Sequence, residues 1–226
     1  MNILEIYRKY RIMPSLQLHM LRVGAVASLI CKNTNDKLAD KFAVGTENYK
    51  NIVTATLLHD MGNIIKFDLT YFPEFVQPEG LVYWEGVKKG FIEKWSDNEH
   101  EATGKIILEI TNSQEIYELS DQTGFSKAIR VLAEGNLLKM ICNYSDMRVG
   151  PNSILTLKER TEDGRKRHER NNSASKKDGL NFDDTVVALL GIEEKIFKDL
   201  NIKPEDINDD SVNREVENLK GFLVGE

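Results

Sequence analysis

The histidines and one neighbouring aspartate are the residues of this sequence best suited to chemistry. Histidine binds metals and transfers protons near neutral pH, and the chain has only four: His19, His59, His100 and His168. The first three lie in or at the ends of segments with a helical pattern, next to apolar residues, where an imidazole without partners is costly. His59 is followed directly by Asp60 in ATLLHDMGNI, where an apolar helical pattern ends. At the end of a helix both side chains can turn toward one ion, so this pair is a candidate metal site.

A second carboxylate, Asp146, has a similar setting in the segment ICNYSDMRVG, again after an apolar helical pattern. In chain order, 39 residues separate His19 from His59, and 85 separate Asp60 from Asp146. Two imidazoles and two carboxylates form the ligand set of hydrolytic sites that use Mn, Fe, Zn or Mg. Helical bundles build such sites from inward-facing side chains of separate helices. These residues are therefore candidate ligands of a divalent-metal site between three predicted helices.

The elements that carry these residues are predicted to be helices. Apolar residues at steps of three and four mark one face of the segment 15–30, namely Leu16, Met20, Val23, Ala27 and Ile30. The same reasoning predicts helices over 48–60, 100–110, 115–119, 126–133, 135–147, 155–167, 182–200 and 204–223. The segment 67–90 is predicted to be an aromatic-rich loop with a short helix, which either covers a pocket or plugs the edge of the core.

This pattern predicts an all-α fold in three parts. Residues 1–165 form the helical domain with the candidate site, 166–181 a polar linker or loop, and 182–226 a C-terminal helical extension. The extension has apolar faces that must be covered. It either packs back on the bundle or forms a homodimer contact, and the sequence does not decide between these.

Composition excludes several classes of protein. The 226 residues are 41% hydrophobic and 29% charged, as in a soluble globular domain, and the net charge is −6, which argues against a nucleic-acid-coating protein. No apolar run approaches the roughly 18 residues that a membrane span needs, and the N-terminus lacks the features of a secretory signal. Cys31 and Cys142 lie in apolar-periodic segments, so we expect two buried free thiols, which fits a cytoplasmic location.

Three segments together resemble the HD-domain superfamily of metal-dependent phosphohydrolases. They are LQLHMLRVGAVA around His19, TATLLHDMGNI around His59 and Asp60, and NYSDMRVGP around Asp146, and the resemblance covers roughly residues 12–165. It implies an all-helical HD-type bundle in which these four residues bind one divalent metal.

The sequence also departs from the pattern of this superfamily. Some members bind a second metal through further histidines, and His100 in EHEATGKIILEI resembles the first of these. No histidine follows near 129–134, where Glu134 is the only nearby ligand-type side chain, so one metal or two remain open. Asn63 stands where many relatives carry lysine, and Lys66 is the nearest cation.

Catalytic roles are assigned from residue chemistry. A bound divalent ion lowers the pKa of its water, which Asp60 could orient, or Asp60 could bridge two ions. Arg22 lies three residues after His19, on the same helix face, and could reach a phosphate oxygen or instead pair with a ligand carboxylate. Lys66 and Arg148 are further candidates for neutralising phosphoryl oxygens. His100, if it is not a ligand, is the candidate that protonates the leaving oxygen.

The function expected from these residues is hydrolysis of a phosphomonoester or phosphodiester, with a nucleotide as the expected substrate. The alternative is a catalytically inactive HD module that senses nucleotides. Oxygen-dependent chemistry at a di-iron centre needs more ligands than we count. The expected partner is a small phosphorylated molecule, not a membrane and not a nucleic acid.

Overall fold

A computed structural model describes residues 1–71, 73–172 and 181–225, with the side chains of 167–172 outside the description. The described chain contains α-helices, four short 3-10 helices and three isolated β-bridges, and no strand, so the all-α prediction is confirmed. The α-helices are α1 (Ile3–Lys9), α2 (Pro14–Lys32), α3 (Ala39–Phe42), α4 (Glu47–Leu58), α5 (Leu81–Lys94), α6 (Glu99–Thr111), α7 (Gln114–Ser120), α8 (Ala128–Glu134), α9 (Leu137–Arg148), α10 (Leu157–Asn172), α11 (Phe182–Phe197) and α12 (Asp209–Leu219).

Side-chain caps fix where the helices near the candidate site begin. The hydroxyl of Thr46 accepts a hydrogen bond from a backbone N–H in the first turn of α4. Asn98 and Asn136 do the same for α6 and α9 through their side-chain oxygens. Pro14 occupies the first position of α2, where its missing N–H costs nothing. Local sequence therefore sets the start of each helix that carries a site residue.

Helix α2 lies at the centre of the bundle and packs against α4, α9 and α12. Its predicted apolar face is buried, since Met20, Val23 and Ile30 are inaccessible to solvent. Gly24 allows α4 to come close, because a Cβ at this position would lie 2.6 Å from Cδ2 of Leu57. This close approach brings the ends of α2 and α4 that carry the histidines to the same place.

The C-terminal helices cover the bundle. Helix α11 packs on α8 and α9, and α12 packs on α2. Nζ of Lys32 on α2 lies 2.6 Å from Oε1 of Glu215 on α12, and Ser28 donates to the same oxygen. The predicted linker 166–181 is helical as far as Asn172, where α10 ends, and its part 173–180 lies outside the described residues.

The segment 67–90 differs most from expectation. Most of its second half belongs to α5, a helix of 14 residues that continues beyond the segment. The helix buries only Trp84, Val87 and Phe91, and Gly86 and Gly90 lower its helical propensity. The sequence of this segment therefore shows only a weak helical pattern. Helix α1, which the sequence analysis did not identify, is short and begins with a capping box at Asn2.

Both cysteines are free and buried, as predicted. Burial raises the pKa of the Cys31 thiol to about 12 and that of Cys142 further. None of the described helices combines the length and the apolar character that crossing a membrane requires. A cytoplasmic location stays a prediction.

Candidate metal centre

The two histidines and two aspartates converge from three helices. Nε2 of His19, on α2, lies 3.3 Å from Oδ1 of Asp146, on α9, and 3.7 Å from Oδ2 of Asp60. Nε2 of His59, the C-cap residue of α4, lies 3.6 Å from both Oδ2 of Asp60 and Oδ1 of Asp146. His19, His59 and Asp60 each offer one ligand atom, all within 4.8 Å of one another, so this group could hold a metal ion.

These separations suit ligands of one ion. Metal–ligand bonds of about 2.0–2.2 Å place neighbouring ligand atoms about 2.8–3.1 Å apart in octahedral geometry and about 3.3–3.6 Å apart in tetrahedral geometry. The four measured N···O distances, 3.3 to 3.7 Å, lie in or just above the tetrahedral range. They are also too long for direct hydrogen bonds of normal strength between imidazole and carboxylate.

The orientation of His59 supports the same interpretation. Its Nδ1 lies 2.7 Å from the carbonyl oxygen of Thr56, and a carbonyl can only accept, so Nδ1 carries a proton and donates it. The opposite nitrogen, Nε2, is fully buried and has no hydrogen-bond partner among the described residues. It faces the carboxylates of Asp60 and Asp146, which cannot donate to its lone pair. A buried lone pair directed at two anions is a site for a cation.

The pKa values show how strongly this cluster attracts positive charge. Burial by itself lowers the pKa of His59, but Asp60 and Asp146 outweigh burial, and together with the Thr56 carbonyl they raise it to about 9. Burial by itself raises the pKa of Asp146, but His19 and His59 hold it well below its usual value. In the absence of a metal, the cluster therefore holds a proton near neutral pH, which a metal must displace.

Arg22 lies one helical turn after His19. Its Nε is buried and has no hydrogen-bond partner, and within the described residues no carboxylate lies within 4.0 Å of its guanidinium. The alternative of an ion pair between Arg22 and Asp60 or Asp146 is thus not found. A half-buried arginine without an anionic partner, close to a metal-type cluster, is available to an anionic ligand.

His100 and Lys66 share an acidic neighbour, Glu99, but only His100 lines the pocket beside the cluster. Nε2 of His100 lies 3.7 Å from Oε1 of Glu99, and Nζ of Lys66 lies 4.0 Å from the same oxygen. The side chain of His100 is 70% exposed and that of Lys66 is 46% exposed. Both can move toward a ligand, although neither contacts the four-residue cluster.

A small pocket joins His100 to the cluster. Its volume is about 30 Å³, which is enough to admit water. It is lined by His59, Asp60, His100, Thr103, Gly104, Tyr117, Ser120, Asp121 and Thr123. Apart from His100, the lining residues of α6, α7 and the turn after α7 were not identified from the sequence, because their segments carry only ordinary helix and turn signals.

The structure does not place Arg148 at the site as a substrate contact. The residue is 1% exposed, and its guanidinium donates to the carbonyl oxygens of Leu155, Pro204 and Ile207 and to the hydroxyl of Tyr144. These bonds tie α9 to the chain that precedes α12. The sequence prediction was wrong because proximity to Asp146 along the chain did not reveal the backbone carbonyls that surround this side chain.

Glu134 also lies apart from the pocket. Its Oε2 is 2.6 Å from Nζ of Lys139, and Nε of Arg130 lies 3.7 Å from its Oε1. These salt bridges hold the pKa of Glu134 below its usual value.

No family model, curated protein or solved structure matches the chain. The resemblance to the HD-domain superfamily therefore stays a prediction, and function must be inferred from the geometry of the site.

Proposed function

We propose that this protein is a metal-dependent phosphohydrolase of the HD type that hydrolyses a phosphomonoester or phosphodiester, with a nucleotide as the expected substrate. The observation that supports this most is the buried, unpartnered Nε2 of His59 facing two carboxylates. A lone pair in this position is costly unless a cation binds there.

In this proposal His19, His59, Asp60 and Asp146 bind one divalent ion, which supplies a Lewis acid and a water of lowered pKa. The donor set of two imidazoles and two carboxylates favours Mn, Fe or Zn over Mg, because imidazole is a better ligand for the later metals. The Asp60 side chain is about one-fifth exposed, so it can also accept a hydrogen bond from the attacking water and orient it.

The remaining roles fall to residues around the cluster. Arg22 binds the phosphoryl oxygens through its unpaired guanidinium and neutralises charge as the phosphorus is attacked. Lys66, a half-exposed cation beside Glu99, is a second candidate for neutralising these oxygens. His100 lines the pocket next to His59 and Asp60, which supports a role for it as the group that donates a proton to the leaving oxygen.

The first experiment measures metal content per chain after purification without chelator, in the wild type and in Asp60→Ala and His59→Ala. We expect about one equivalent of transition metal in the wild type and its loss in both variants, with helical circular dichroism retained. Metal-loaded wild type is then assayed against phosphomonoesters, phosphodiesters and nucleotides. Full activity in either variant would contradict the proposal. Nucleotide binding without turnover, across Mn, Fe, Zn and Mg, would instead support the inactive nucleotide-sensing module.

A further inference from the structure

The turn that follows Asp60 lies directly against α6. The backbone N–H of Gly62 donates to Oγ1 of Thr103 at 2.9 Å in a buried contact. A Cβ at Gly62 would lie 2.6 Å from the carbonyl oxygen of Glu99 and 2.9 Å from the backbone nitrogen of Thr103. Because these are backbone atoms, they cannot move aside as a flexible side chain would. The turn and the helix are therefore in backbone contact, and only glycine permits it.

The Thr103 hydroxyl is oriented toward this turn. Threonines within helices commonly donate to a carbonyl of the preceding turn, and Thr111 in the same helix does so, with Oγ1 2.8 Å from the oxygen of Ile107. Among the described residues we find no such bond for Thr103, although its side chain is buried. Its oxygen instead accepts the Gly62 N–H, a group that has no carbonyl partner in α4 or in the turn.

This contact bears on the position of Asp60. The backbone N–H of Asn63 donates to the carbonyl oxygen of Asp60 at 3.0 Å, and that of Met61 donates to Leu58, so the turn is a short, closed unit. Fixing Gly62 against α6 fixes the backbone from which the Asp60 carboxylate extends. The His59 ring is held separately by the Thr56 carbonyl. The two neighbouring ligands thus depend on different anchors.

We propose that Thr103 is a positioning residue for Asp60 and that it sets the affinity of the metal site through the Gly62 amide. The inference rests on the proposed metal site. Removing a hydrogen bond behind a ligand commonly lowers metal affinity by about 10- to 100-fold. Since Thr103 acts through the backbone, the effect of Thr103→Val is expected at the lower end, roughly 10-fold. Thr103→Ser keeps the acceptor oxygen and should restore affinity to near the wild-type value.

The test measures the dissociation constants of Mn²⁺ and Zn²⁺, added as simple salts, by calorimetry on metal-free protein. It compares the wild type with Thr103→Val, Thr103→Ser and Thr111→Val. Thr111→Val is the matched control, because it makes the same chemical change in the same helix away from the site. Thr103→Val should weaken binding while Thr103→Ser and Thr111→Val do not. Thermal unfolding and circular dichroism of each metal-free variant report whether the fold persists.

Gly62→Ala approaches the same contact from the other side and should also weaken metal binding. If Thr103→Val does not fold, the comparison of Gly62→Ala and Thr103→Ser with the wild type decides the question. Wild-type affinity in Thr103→Val or Gly62→Ala, or equal weakening in Thr103→Ser and Thr103→Val, would overturn the positioning role while leaving the metal site intact. Failure of both wild type and Thr111→Val to bind either metal would overturn the metal site, and the inference with it.

Discussion

The carbonyl oxygen of Thr56 lies 2.7 Å from Nδ1 of His59, one helical turn later in the chain. Because a carbonyl can only accept, this bond keeps a proton on Nδ1 and directs Nε2 toward Asp60 and Asp146. The geometry that prepares Nε2 for a metal also makes it a strong site for a proton when the metal is absent. Two pH dependences follow from this relationship.

The metal-free protein should lose stability as the pH rises from about 6.5 to about 9. Burial lowers the pKa of His59, but Asp60 and Asp146 outweigh it and raise the pKa from 6.5 to about 9 in the folded state. A group whose folded-state pKa is raised stabilises the protein fully below its unfolded pKa, and this contribution is lost as the pH rises through the folded pKa. The shift sets an upper limit of about 3 kcal/mol.

Thermal unfolding in excess chelator across this pH range measures the effect. In His59→Gln the dependence between pH 6.5 and 9 should flatten, because the titrating group is gone. A slope that is the same in the variant and the wild type would show that another group is responsible.

Metal affinity should rise with pH over the same interval. Below about pH 9 the cluster binds a proton at His59, and the metal must displace it. One displaced proton predicts an increase in affinity of about tenfold per pH unit. Competition with a chelator of known affinity, between pH 6 and 8, measures the slope. An affinity independent of pH would mean that the metal binds without displacing this proton, contrary to the arrangement of Nε2.

Arg22→Ala should weaken anion binding without removing the metal. The guanidinium lies one turn after His19, its Nε has no hydrogen-bond partner among the described residues, and arginine is not a metal ligand. Hydrogen bonds to charged groups contribute about 1.5–3 kcal/mol, so the affinity for inorganic phosphate in the metal-loaded protein should fall roughly 10- to 100-fold. Calorimetry with phosphate measures this before the substrate is known.

Arg22→Lys is the matched control, because it keeps the charge and loses the planar fork of donors. We expect it to recover part of the phosphate affinity. Equal phosphate binding in Arg22→Ala and the wild type, with metal content unchanged, would exclude Arg22 as the phosphate contact.

The all-α class and the residues of the cluster could be predicted from the sequence because both depend on local patterns. Apolar steps of three and four fixed the buried face of α2, and the His59-Asp60 pair lies where an apolar helix ends. The environment of Arg148 could not be predicted in this way. Its partners include the carbonyl oxygens of Pro204 and Ile207, more than 50 residues away along the chain.

The pocket beside the cluster escaped prediction for the same reason. It is formed where α6 meets α7 and the turn after it. Thr103 and Asp121 line the pocket only because these elements pack together, which the local sequence does not show. Helix α5 was partly missed because its signal is intrinsically weak. Three buried residues and two glycines in 14 positions give little periodicity.

Arg148→Met should destabilise the protein and leave the chemistry of the site in place. Its guanidinium is buried and donates to three backbone carbonyls, so a methionine would leave buried acceptors at Leu155, Pro204 and Ile207 without donors. Such losses cost about 1–3 kcal/mol for each buried group, and we expect a decrease of about 3 kcal/mol or more in the free energy of unfolding.

Lys66→Ala, at a half-exposed position, should change the free energy of unfolding by less than about 0.5 kcal/mol. Urea unfolding compares the two variants, and phosphate titration of the folded, metal-loaded proteins separates stability from binding. If Arg148→Met is as stable as the wild type but binds phosphate more weakly, Arg148 contacts the substrate, and the structural role assigned to it here is wrong.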